Sequence, residues 1–111
     1  MDSANQQNEA SELVALTVKQ VLDDGNTDTR IVVLKNDDAT VALPIWVGSA
    51  EGNAIRVAME RVVTPRPMSH DLIRSFADHL GVRIERVVIT DVKGSTYYAS
   101  VAFASKGVHR T

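Results

Sequence analysis

The chain has 111 residues, 44% of them hydrophobic, with 12 Lys+Arg against 14 Asp+Glu, the profile of one ordinary globular domain. It contains no cysteine, which excludes disulfides, thiolate metal sites and cysteine nucleophiles and suits a reducing compartment. Its longest apolar runs fall far short of the roughly 20 residues a membrane helix needs, so the expected setting is cytoplasmic.

Met1–Ala10 is polar and acidic, unlike a signal peptide, and reads as a flexible tail. From Leu13 the pattern alternates. Val14, Leu16, Val18 and Leu22 fall on one face and Thr17 and Lys19 on the other, the period of a strand. Asp23-Asp24-Gly25-Asn26 is turn chemistry, and Arg30–Lys35 is a second strand rich in β-branched residues. Asn36-Asp37-Asp38 turns the chain into a third, Thr40–Val47, where Pro44 lacks a donor and predicts an edge or a bulge.

Ser49 then reads as a helix N-cap, with a first helix over Ala50–Val62. Its predicted apolar stripe is Ala54, Ile55, Ala58 and Val62, with Arg56 and Glu60 opposite. Thr64-Pro65-Arg66-Pro67 is a stiff linker, since each proline also turns its predecessor away from helix. Ser69 caps a second helix whose inward face is Leu72, Ile73, Phe76, Ala77 and Leu80, and Gly81 ends it in the left-handed region. Val82–Val92 and Thr96–Phe103 form a hairpin around Lys93-Gly94-Ser95. The order βββααββ predicts an α+β fold, a largely antiparallel sheet packed against two amphipathic helices. The expected domain is 11–111.

Charge is uneven along the chain. Residues 1–53 hold three basic and nine acidic groups, and residues 54–111 hold nine basic and five acidic. Eight of the twelve cations are arginine, whose planar fork suits phosphate. Solvated helix faces with ordinary ion pairs produce the same asymmetry.

Three places could carry chemistry. Glu51 projects with the apolar stripe of the first helix, where desolvation would raise its pKa; alternatively it complements the helix dipole from the first turn. Two prolines stiffen the backbone around Arg66, and His70 and Asp71 open the second helix beside free N–H groups that attract anions. His70, Arg74 and Asp78 line one stripe at i, i+4, i+8: a proton carrier, a charge clamp and a carboxylate, or a capped surface helix with ordinary pairs. Asp91 lies near a strand end, and Tyr97-Tyr98 open the next strand, suited to stacking bases or to cross-strand packing. Trp46 reads as core or interface. His79 and His109 fall in no cluster, and neither metal-ligand spacing nor a glycine-rich phosphate loop occurs.

LPIWVG (Leu43–Gly48), Glu51 with Asn53-Ala54-Ile55, PRPMSHDL (Pro65–Leu72) and VVITDVKGSTYYA (Val87–Ala99) together resemble one family, the bifunctional nuclease (DNase/RNase) domains of bacteria and plants. The match in order and spacing covers about Leu13–Phe103. The resemblance implies a hydrolase that cleaves DNA and RNA, with an α+β fold and a homodimeric or higher homo-oligomeric state. The family's motif residues fall on Trp46, Glu51, Arg66, His70, Asp71, Asp91 and Tyr98. Ser69 stands where the family usually has threonine, and either hydroxyl caps a helix. The family continues with a segment of Asp-Ala-Arg-Pro-Ser-Asp-Ala type and a further helix, which this chain is expected to lack.

The expected mechanism has Arg66 and Arg74 hold phosphate charge and His70 act as general acid or base. Glu51 and Asp71 would bind a divalent cation (Mg or Mn) or orient the attacking water, and Tyr98 would contact nucleic acid. The alternative is a non-catalytic module of the same fold that binds nucleic acid or protein. In that case Ser69, His70 and Asp71 cap the helix, Arg66 pairs with an acid such as Glu51, and Trp46 packs at an interface.

Overall fold

Three strands rich in β-branched and aliphatic residues come first, β1 (Thr17–Asp23), β2 (Thr29–Lys35) and β3 (Ala42–Gly48). They form an antiparallel meander in which β3, with its proline at Pro44, is an edge as expected. The computed structural model describes residues 13–25, 28–66 and 68–111. The tail expected over 1–10, Asn26 of the first turn and Pro67 of the linker lie outside them. The described residues divide after Arg61 into two compact units.

In the first unit, β2 runs between its neighbours, which buries Val32 at 4% exposure and Val33 at 9%. Cross-strand register places Val21, Val32 and Ile45 on one face, with Arg30 and Val47 beside them. Helix α1 (Ser49–Met59) packs on that face, because Gly52 lies against the Arg30 stem and Val47. Arg56 ties the helix to β1: its Nη2 donates to Val21 O at 3.0 Å and to Asp23 Oδ1 at 3.3 Å. The same carboxylate oxygen sits 3.2 Å from Arg30 Nε, so Asp23 bridges two guanidinium groups. Arg56 therefore faces the sheet rather than the opposite side of the helix.

Two further expectations fail for local reasons. A β-bulge between Val18 and Gln20 shifts the register of β1, so Val18 and Leu22 fall on opposite faces. Helix α1 ends at Met59, with Arg61 at φ 55°, so Val62 lies beyond it. Each helix also starts one residue off the expected cap. Gly48 and Met68 are the N-caps, and Ser49 and Ser69 are the first helical residues.

The second unit contains helix α2 (Ser69–His79), then β4 (Val82–Lys93), β5 (Thr96–Ser105) and β6 (Val108–Arg110) in a second antiparallel sheet. Gly81 takes φ 70° after α2, as its position predicted. The α+β class and the order of elements match the sequence reading. Two three-stranded sheets replace the one expected, and β6 is an addition. The stripe of α2 expected to face inward stays open: Leu72, Ile73, Phe76 and Leu80 are 56%, 68%, 63% and 65% exposed. Among the described residues no helix is long and apolar enough to cross a membrane.

Candidate functional site

The α2 end of the second unit holds four of the expected residues. Arg66, His70, Asp71 and Arg74 are all exposed there. Thr64 Oγ1 donates to Arg66 O at 2.6 Å and fixes the backbone ahead of the helix. Asp71 Oδ2 accepts from the Met68 N–H at 2.8 Å, so the carboxylate closes the first turn and keeps one oxygen for other work. His70 and Arg74 lie one turn apart, and the stripe they form with Asp78 makes no ion pair among the described residues. Both are exposed, at a helix start whose free N–H groups also favour an anion.

The second sheet adds a surface that the sequence did not disclose. Register pairs Arg83 with Ala104 and Ala104 with His109, one row across three strands. Arg86 pairs with Ala102 and Asp91 with Tyr98 on the same face. Bulges between Ile84 and Arg86 and between Ile89 and Asp91 make this possible, because an unbroken strand would put Arg83 and Arg86 on opposite faces. The other face pairs Ile84 with Phe103, Val87 with Val101 and Ile89 with Ala99. One side of the β4–β5 hairpin is therefore mainly apolar, with Arg110 of β6 opposite Phe103 at its edge. The other carries arginines, His109 and Tyr98.

At the hairpin end of the polar face, Lys93 Nζ stands 5.3 Å from the centre of the Tyr98 ring and 3.9 Å from Asp91 Oδ2. Asp91 Oδ1 also accepts from Val92 N at 2.8 Å. At the other end His109 Nδ1 lies 2.8 Å from Glu85 Oε1, so His109, which has no partner visible in sequence, belongs to a pair. The hydrogen bond from His109 holds the Glu85 carboxyl below its ordinary value, with Arg83 and Arg86 adding a smaller electrostatic pull.

Glu51 and Trp46 belong to the first unit. Glu51 lies exposed in the first turn of α1 with its carboxylate over Gly48, the placement of the alternative reading in which it complements the helix dipole. Trp46 is 56% exposed on the sheet face away from α1, where it forms an apolar row with Ile31 and Leu22. It is not a core residue of this unit. Among the described residues no three His, Asp or Glu side chains gather to hold a metal ion.

The model of the bifunctional nuclease domain matches residues 32–110, most of the chain. That range takes in α1, α2 and both arms of the β4–β5 hairpin, with every motif residue named above. The chain belongs to the bifunctional nuclease domain family. Its similarity to individual curated proteins is moderate. Uncharacterized proteins from two strains of Mycobacterium tuberculosis are each 37% identical to it over 73 residues, 66% of this chain. The matched stretch is 44% of each relative, so the chain spans less than half the length of the curated relatives it matches.

Proposed function

We propose that the chain is a nuclease that hydrolyses phosphodiester bonds of DNA and RNA with little sequence preference. Family membership over residues 32–110 is the observation that carries this reading. The second unit supports it with seven Lys and Arg against four Asp and Glu over 62–111. In the proposed chemistry Arg66 and Arg74 engage the phosphate oxygens and offset the charge that builds on them. His70 transfers the proton, as base to the attacking water or as acid to the leaving oxygen. Asp71, with one oxygen on the Met68 N–H and one remaining, orients the water. Glu51, a motif position by the family resemblance, would bind a divalent cation or orient the water with Asp71. Among the described residues no donor set for Mg²⁺ or Mn²⁺ gathers.

The same reading includes a homodimer or higher homo-oligomer in the cytoplasm, supported by the open apolar stripe of α2. The test is hydrolysis of labelled DNA and RNA by highly purified protein, with Mg²⁺, with Mn²⁺ and with chelator, beside Glu51→Gln. Cleavage that depends on Glu51, with the variant melting like the parent, supports the reading. Absence of cleavage under all three conditions removes it.

A further inference from the structure

We propose that the cleft between the start of β4 and the β5–β6 turn binds a backbone phosphate of a nucleic acid strand. Gly81, Arg83, Ala104, Lys106, Gly107 and His109 line a cavity of about 190 Å³ there. The space equals several waters at roughly 30 Å³ each, enough for a phosphate group with part of its hydration.

Register explains how the cleft is made. Arg83, Ala104 and His109 form one row, so the alanine methyl is a low floor between two long, nitrogen-bearing walls. Lys106 and Gly107, at φ 51° and 80°, form the two-residue turn that closes one end. Asn-Gly would meet the demands of such a turn at lower backbone cost, yet the sequence places a lysine there. Arg83 brings a planar fork suited to phosphate oxygens, and Lys106 a mobile point charge. Glu85, the acid that pairs with the cleft's histidine, is already engaged by His109 Nδ1, leaving Nε2 as the ring's other hydrogen-bonding atom. Arg86 extends the same face toward Tyr98, six residues along β5 from Ala104, or roughly 20 Å. The surface thus offers a phosphate clamp at one end and an aromatic ring at the other, the two features that hold single strands.

The identity of the anion as nucleic acid rests on the nuclease reading, but the site shares no residue with the chemistry proposed at α2. Binding of a short labelled single-stranded DNA is therefore measured by anisotropy in chelator, across a salt series, for the parent and Arg83→Gln/Lys106→Gln. In parallel, inorganic phosphate is titrated while the Gly81 and Gly107 amide resonances are followed. The proposal expects the double variant to bind at least about tenfold more weakly at low salt. Its slope of log K against log salt should be shallower by about 1.4, at about 0.7 per lost contact. Arg83→Lys, which keeps the charge, should restore most of the slope, and Lys106→Glu alone should weaken binding if the double variant folds poorly.

Equal affinity and slope in parent and variants overturn the proposal. Phosphate shifts without oligonucleotide binding assign the cleft to free phosphate and also overturn it. Loss of binding in the variants of a parent that cleaves nothing keeps the cleft and removes the nuclease.

Discussion

Substituting Gly52 by alanine tests whether α1 is held against the first sheet as described. A Cβ at Gly52 would lie 2.6 Å from Arg30 Cβ and 2.7 Å from Arg30 Cγ. Carbon atoms rest at about 3.5–4.0 Å, so the overlap approaches 1 Å. Arg30 Cβ is fixed to the β2 backbone and cannot swing aside, and Val47 Cγ2 at 3.4 Å closes the second direction. The helix must retreat, which also stretches the 3.0 Å bond from Arg56 to Val21 O. Overpacking of this kind costs about 1–3 kcal/mol, against a gain of up to about 1 kcal/mol from replacing a helical glycine. The net expectation is a loss of about 1–2 kcal/mol, a drop of several degrees in Tm at this chain length. Gly48→Ala is the matched control, since its Cβ meets only the movable Glu51 carboxylate, and φ is an ordinary −64°. Scanning calorimetry reads both. A Gly52→Ala protein that melts at or above the parent refutes the packing.

Arg56→Ala should lower stability by about 1 kcal/mol in chemical denaturation, as Val21 O and Asp23 lose a partly exposed donor; no change would remove the tie between α1 and β1. Glu85 should titrate by NMR below its ordinary 4.5, and His109→Gln should return it toward that value. Because the folded carboxyl is depressed, the pair's contribution is present above the unfolded value and is lost as pH falls through the folded one. An unchanged Glu85 titration in the variant would contradict the pairing. Phe76→Glu should leave the fold intact, since the ring is exposed, while converting an oligomer to monomers in sedimentation; a parent already monomeric at high concentration refutes the oligomer.

Local chemistry was legible in the sequence. Alternation marked β1, β-branched residues marked β2, turn residues bounded the other three expected strands, Gly81 marked the end of α2, and Pro44 marked an edge, because each is a local signal. What failed depends on pairing. The β1 bulge inverted the predicted partnership of Val18 and Leu22, and the two β4 bulges gathered Arg83, Arg86 and Asp91 on one face without any visible period. A helical wheel gave Glu51 to the interior, but the contact that orients α1 is glycine on an arginine stem, which carries no hydrophobic signal. The motif residues at α2 were legible as a motif. The cationic face of the second sheet required its register.

Whether residues at the start of α2 cleave phosphodiester bonds is read by single-turnover cleavage of labelled RNA and DNA by parent and His70→Ala. Both proteins should be purified identically, with activity followed across the size-exclusion peak. His70 is exposed and supports no packing, so the variant should melt like the parent. Activity should coincide with the protein and fall roughly 10²–10⁴-fold in His70→Ala, the usual worth of a general acid or base. Equal rates in the two proteins would contradict it.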